Sequence, residues 1–252
     1  MNFIILDLSI IILGLIIGSF INVLAYRTPN NISVTLSRSI CPKCNINIPL
    51  YRNIPIITYI IQQGKCHNCN KSISFQYPLI EFITACIFYF GFKNNLSLNE
   101  YILFIWVSSI LLAISIIDFK TLTIPLKLII ALLLGELVFM VSNIDSIYNM
   151  MLGLFLGLGY LGITFIITSL IYKKQTLGYG DLLLISLIGL WIGPINILIC
   201  IFLSSVFGIS VWFIKASKEG SNYKLPFGTY LSINGIILKI LNIDFISYMN
   251  NL

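Results

Sequence analysis

Apolar runs about as long as a bilayer is thick recur along almost the whole chain, and nothing else in the sequence narrows the available folds as much. A helix needs about 20 predominantly apolar residues to cross hydrocarbon. Measured against that length, eight stretches stand out, at about 3 to 25, 78 to 92, 101 to 117, 126 to 142, 147 to 172, 181 to 193, 195 to 214 and 229 to 243. Hydrophobic residues make up 58% of the 252 and charged residues 10%, a balance that suits lipid as solvent rather than a water-soluble core. Backbone groups in lipid must be satisfied within their own segment, so the runs are expected to be helices. The expected fold is an all-α polytopic membrane protein with about eight transmembrane helices, of which the second and sixth are short and therefore tilted, extended or re-entrant. The first run has no basic segment before it, carries Asp7 and offers no small-residue cleavage site, so it is expected to be a retained helix rather than a signal peptide.

The basic residues orient these helices. All of the 15 lysines and arginines except Lys93 and Lys239 fall in loops on one side, including Arg27, Arg38, Lys43, Arg52, Lys65 and Lys71 in the longest loop. The positive-inside rule makes that side cytoplasmic and puts both termini outside. The net charge of +6 is thereby explained by solvated loops beside the lipid bilayer and requires no nucleic acid. Three regions follow: a first transmembrane helix at 1–26, a cytoplasmic loop domain at 27–77, and a membrane-embedded core at 78–252.

The loop contains "CPKCNINIPLYRNIPIITYIIQQGKCHNC", in which Cys41 and Cys44 precede Cys66 and Cys69 with 21 residues between the pairs. Two Cys-x-x-Cys knuckles supply four thiolates at a spacing suited to tetrahedral zinc, and a segment this short cannot easily build a core without a staple. Disulfides, a redox pair and an iron site are the competing readings, but a reducing cytoplasm disfavours the first. With four protein ligands the zinc is closed and structural. His67, the only histidine, reads as a knuckle-surface residue, and Cys86 and Cys200 as small buried hydrophobes.

Of the nine acidic residues, Asp7, Glu100, Asp145 and Asp244 fall near the outer face and Glu219 in a basic loop. Glu81, Asp118, Glu136 and Asp181 remain at membrane depth, where an ionisable group is expensive and therefore a functional candidate. Asp181 has a local explanation as a helix N-cap after the Gly178-Tyr179-Gly180 turn. Asp118 has none, because a carboxylate at a helix C-terminus faces the negative end of the dipole, and an exposed pair with Lys120 would contribute little. Asp118 ends an inward-running helix and Asp181 begins an outward-running one at the same depth, so the two are expected to meet. Two carboxylates sharing one proton can deprotonate a water and polarise an amide carbonyl, which is aspartic-peptidase chemistry. The dipoles make Asp118 the expected protonated partner and Asp181 the base. Gly178, Tyr179 and Gly180 then form an active-site loop whose glycines allow irregular backbone and close approach by substrate.

"GSFINVLAYRTP" from Gly18, the paired Cys-x-x-Cys loop, "FQYPLIEF" around Glu81, "DFKTLTIP" from Asp118, "GYGD" from Gly178 and "LPFGTYLS" from Leu225 follow one another in order. This series resembles the type IV prepilin peptidase family, membrane aspartic peptidases with a Gly-x-Gly-Asp motif. The resemblance implies that Asp118 and Asp181 are the catalytic pair and that the four cysteines bind zinc. It implies as substrates type IV prepilins or pseudopilins, whose short basic leader is removed at the cytoplasmic face of the bacterial inner membrane. It further implies N-methylation of the new terminus with S-adenosylmethionine as donor. Leu126 and Leu183 stand where the family often carries an acid and a lysine. Glu81 is a candidate for holding the basic leader, alternatively a brace for the loop or a helix-start acid. Two other functions fit parts of the pattern: a related peptidase with another membrane substrate, and a cation-coupled transporter using Glu136, Asp118 and Asp181 as an ion path.

Overall fold

The structure is a computed structural model and describes residues 2–34, 39–94, 96–175, 177–219 and 224–241. Arg38, Asp244 and the last two residues of the eighth apolar run lie outside these residues. Among the described residues there is no strand, only two isolated bridges, and each apolar run is a helix. The order is α1 (Asn2–Arg27), a five-residue α2 (Ile57–Ile61) inside the polar loop, α3 (Gln76–Lys93), α4 (Leu98–Thr121), α5 (Leu126–Ser142), α6 (Ile147–Tyr172), α7 (Tyr179–Ile192), α8 (Pro194–Glu219) and α9 (Phe227–Leu241). The helices α1, α4, α6 and α8 are each long and apolar enough to cross a bilayer unaided. The sixth run is short, as expected: α7 has 14 residues, about 21 Å at 1.5 Å per residue against a hydrocarbon layer of about 30 Å.

Turn residues set the breaks. Gly193, at φ 83 and ψ 178, takes an extended positive-φ conformation open mainly to glycine and ends α7, and its N–H bonds Gly189 O at 3.0 Å. Pro194 follows as the first residue of α8, where its missing N–H costs nothing. Pro125 caps α5 in an extended conformation.

The chain forms two compact units, Met1–Tyr101 and Ile102–Leu252. In the first, α1 lies along α3. A β-carbon at Gly14 would lie 2.5 Å from Ala85 Cα and one at Gly18 2.6 Å from Glu81 Cα, so two glycines four residues apart let the backbones touch. One turn further on, Asn22 replaces apolar packing with a hydrogen bond from Nδ2 to Tyr77 O at 3.1 Å. The other end of the pair is tied by Lys93 and Asp7 at 2.8 Å, two residues that the charge argument had placed on one face.

In the second unit α7 is the hub, packed by α5, α6, α8 and α9. Every residue from Leu184 to Ile192 is buried. Along α4, 72% of the spanning window is buried, against 17% to 28% for α1, α6 and α8, so α4 is an interior helix while the others keep a broad apolar face for lipid. Short connections alternate the helix directions, which brings the end of α4 and the starts of α7 and α9 together at one end of the unit.

Candidate active site and metal centre

The polar loop is organised by two knuckles of the same design. Asn45 N–H bonds Cys41 O at 2.8 Å and Cys41 N–H bonds Ile46 O at 3.0 Å. The second knuckle repeats both, Asn70 N–H to Cys66 O and Cys66 N–H to Lys71 O, each at 2.9 Å. Bridges Ile40 to Asn47 and Lys65 to Ser72 close them identically. Asn45 and Asn70 are left-handed at φ 56 and 53, a conformation asparagine tolerates better than most residues. The motif is therefore Cys-x-x-Cys-Asn, twice, a repeat that the cysteine spacing alone does not bring out. Lys43 joins the knuckles through Ser72 O at 3.1 Å.

The four sulfurs lie within 4.8 Å of one another, and Cys44 and Cys66 Sγ are 4.0 Å apart. Tetrahedral zinc with bonds of about 2.3 Å spaces its sulfurs by about 3.8 Å, so this set could hold such an ion. All six cysteines are free of disulfides. The backbone amides of Cys69 and Asn68 bring the Cys66 thiol down to about 6, and that of Ile46 lowers Cys44. Cys69, although the Lys71 amide favours its thiolate, is pushed up to about 11 by desolvation and its sulfur neighbours. Four thiolates this close thus oppose their own last ionisation, and a divalent cation removes that opposition. His67 is exposed and outside the set.

Glu81, one turn into α3, is 7% exposed. Its Oε2 accepts Ile56 N–H at 2.7 Å. Ile56 sits at φ 58, a strained backbone for a β-branched residue, and the carboxylate holds it there. This contact ties the loop at Ile56 to the start of α3.

In the second unit, Asp118 and Asp181 face one space. A β-carbon at Gly228, the second residue of α9, would lie 3.2 Å from Asp118 Oδ2 and 3.3 Å from Asp181 Oδ1. The two oxygens can be no farther apart than those distances laid end to end. Asp118 is 4% exposed; Asp181 is partly exposed. What favours Asp118 at an unfavourable helix end is another helix. Thr229 N–H and Thr229 Oγ1 both donate to Asp118 Oδ2, at 2.8 and 3.1 Å, so the carboxylate takes up an orphan amide at the start of α9. The Thr229 hydroxyl also lies 3.0 Å from Ser115 O.

Asp181 is not the cap of its helix. Gly178 is the N-cap, no side chain caps the end, and Asp181 is the third residue of α7. Tyr179 and Gly180 are already helical, and neither Gly178 nor Gly180 has a positive φ, so the glycines supply room rather than irregular backbone. A β-carbon at Gly180 would press on Ile124 Cβ at 3.0 Å, and one at Gly178 would lie 3.1 Å from Asp181 Oδ2. Tyr179 packs on Phe165 with ring centroids 5.6 Å apart. Leu126 and Leu183 are exposed. Glu136 is fully buried, and neither oxygen has a hydrogen-bond partner among the described residues.

Gly228 and Thr229 were missed as site residues although "LPFGTYLS" was singled out. The available signal was a residue without a side chain followed by a hydroxyl at a helix start, and nothing local says which carboxylate they meet.

Residues 12–94 match the Bacterial Peptidase A24 N-terminal domain and residues 102–213 the Type IV leader peptidase family. The chain is 30% identical to the prepilin leader peptidase/N-methyltransferase of Pseudomonas aeruginosa, over 91% of this chain and 88% of that one. The enzyme of the same name from Neisseria gonorrhoeae is 29% identical over 92% and 89%. A type 4 prepilin-like proteins leader peptide-processing enzyme of Escherichia coli is 30% identical over 88% and 89%. No solved structure matches the chain. Gly228 and Thr229 lie beyond the matched segments, yet they complete the geometry of the carboxylate pair inside them. Its sequence kinship, apolar helices and facing aspartates agree, and the chain belongs to the type IV leader peptidase family.

Proposed function

We propose that this protein is an inner-membrane aspartic endopeptidase that removes the leader from type IV prepilins or pseudopilins and then N-methylates the new terminus. The observation that carries the peptidase half is the meeting of Asp118 and Asp181 around the empty side of Gly228. A water held between the two carboxyls loses a proton to the ionised one while the other, protonated, polarises the scissile carbonyl. The resulting tetrahedral diol collapses, the carbon–nitrogen bond breaks, and the departing amine takes up a proton, which returns the pair to its starting charge.

Two donors on one oxygen favour Asp118 as the ionised base and leave the proton to Asp181, the reverse of the division that the helix dipoles suggest. The Thr229 hydroxyl suits both states. It has one hydrogen, given to Asp118 while that group is charged; once Asp118 holds the water's proton, the hydroxyl donates to Ser115 O and its oxygen accepts from Asp118. The basic loops put this end of the helices on the cytoplasmic side. A substrate with a cytoplasmic basic leader and an apolar helix would offer its scissile bond there. Zinc, when bound by Cys41, Cys44, Cys66 and Cys69, would stiffen the loop and take no part in hydrolysis. The relatives' names support methylation; S-adenosylmethionine is the donor this reading implies.

The test is incubation of the purified protein in detergent with a prepilin and S-adenosylmethionine, read by product mass for leader loss and one added methyl. Asp118→Ala and Asp181→Ala should each lower cleavage on the order of 10⁴-fold. Wild-type cutting by either variant would end the dyad reading. An intact prepilin with the unaltered protein would favour another substrate or the transporter alternative, which needs an ion gradient that detergent abolishes.

A further inference from the structure

The short connection from α4 to α5 sends one side chain into the space of the carboxylate pair. Ile124 lies against both glycines there: a β-carbon at Gly180 would fall 3.0 Å from Ile124 Cβ, and one at Gly228 2.9 Å from Ile124 Cδ1. The same point at Gly228 is 3.2 Å from Asp118 Oδ2 and 3.3 Å from Asp181 Oδ1, so the tip of Ile124 is no more than two such steps from either oxygen. The first turns of α7 and α9 each present a residue without a side chain, and Ile124 fills the room this leaves between them. A methyl added at either glycine would force it out.

The backbone fixes this side chain in place. Leu122 turns at φ 54, an uncommon conformation for a residue with a side chain, and its N–H bonds Asp118 O at 2.9 Å. The hydroxyls of Thr121 and Thr123 lie 2.7 Å apart across the same turn. Pro125, at φ −68, disfavours helical backbone at the residue before it, so Ile124 does not wind into α5. The turn thus begins at the carbonyl of Asp118 and ends on the side chain that borders the pair, which makes Ile124 a wall rather than a loose tip.

The wall stands on one side of the pair. Ile124 follows the end of α4 and packs on the first turns of α7 and α9, at the end of the unit where the helices give way to loops, and it is itself partly exposed. With the basic loops cytoplasmic, a substrate's leader lies on this side and its apolar helix on the other. We propose that Ile124 is a specificity-determining residue whose side chain occupies the leader side of the cut bond, so that the last leader residue fits only with little or no side chain. Larger residues are refused there by contact with a branched carbon, not by charge. The inference rests on the peptidase reading above and adds to it the residue that chooses the bond.

The experiment measures kcat/KM of the purified full-length protein in detergent on two prepilins that differ only in the last leader residue, glycine or alanine. The unaltered protein should favour glycine by about 10- to 200-fold, the range for one carbon too many in an apolar pocket. Ile124→Ala should lower that ratio about tenfold by raising the rate on the alanine substrate. Ile124→Val, which trims only Cδ1 and keeps the β-branch, should move it the same way by about threefold. The ratio is the readout because loosened packing lowers both rates together and leaves their quotient where it was; melting temperature accompanies each variant. An unaltered ratio in the folded variants, or equal rates on the two substrates by the unaltered protein, would overturn the role of Ile124 and leave the peptidase reading in place. Failure of the unaltered protein to cut either substrate would overturn both.

Discussion

The metal centre and the carboxylate pair are built on opposite plans. Each knuckle closes within eight residues through its own backbone hydrogen bonds, and the second repeats the first bond for bond. The pair draws on three helices, and the contact that accounts for Asp118 spans 111 positions in the chain. A cluster folded by local bonds would take its overall shape from a metal bound by its four thiolates. A site folded by helix packing is already shaped and depends on fine placement for chemistry.

Metal removal should produce the largest break between the two. Chelation, or Cys44→Ser, should unfold the loop around α2, seen as lost amide protection over residues 39–74, and added zinc should restore it only after chelation. Amides of α4 and α7 should keep their protection. Equal loss in both places would mean that the carboxylate pair is not independently formed.

Gly228→Ala comes next. Its new methyl would sit 2.9 Å from Ile124 Cδ1 and against both carboxylates, in the space a water needs. Cleavage should fall on the order of 100-fold with zinc content unaltered. An unaltered cleavage rate would show that the oxygens part easily and that the space at Gly228 is not where the reaction occurs.

Thr229→Val removes one of two donors to Asp118 and keeps the shape. A lost hydrogen bond to a charged group is worth about 1.5–3 kcal/mol, or roughly ten- to a hundredfold in rate. Thr229→Ser should recover most of it, with the pH–rate profile returning to that of the unaltered protein; failure of the serine to rescue would assign Thr229 to packing alone.

The smallest effects belong to the local plan. Asn45→Ala and Asn70→Ala each force alanine into a left-handed turn at a cost of about 1–2 kcal/mol, whereas glycine at either place should be nearly neutral. Zinc competition against a chelator measures it. Similar losses at the two positions would confirm the knuckles as equivalents, and a large difference would make one of them the dominant half.

Most of the architecture was legible beforehand because lipid leaves so few options. The eight runs became eight helices, and the break between the sixth and seventh fell at Gly193-Pro194, where backbone chemistry required it. The four cysteines were legible for the same reason: their spacing, and the asparagine after each pair, act over a few residues. Asp118 and Asp181 were legible as anomalies, charges where charges are costly, but their surroundings were not. Asp181 looked like a cap, and the structure gives that position to Gly178. The glycines of Gly178-Tyr179-Gly180 suggested unusual torsions, and the structure uses them to let Ile124 and the carboxylate approach.

By itself the sequence determined which segments enter the membrane, where they turn and which four thiolates gather, since hydrophobic length, turn chemistry and short-range spacing all act along the chain. Only the tertiary structure decided that α9 brings Gly228 and Thr229 to the aspartates and that Asn22 Oδ1 is left without a donor among the described residues. Those outcomes depend on which helix faces meet, and in apolar helices of nearly uniform composition many faces are equally greasy, so pairing is chosen by a few small or polar residues whose partners the linear order does not reveal.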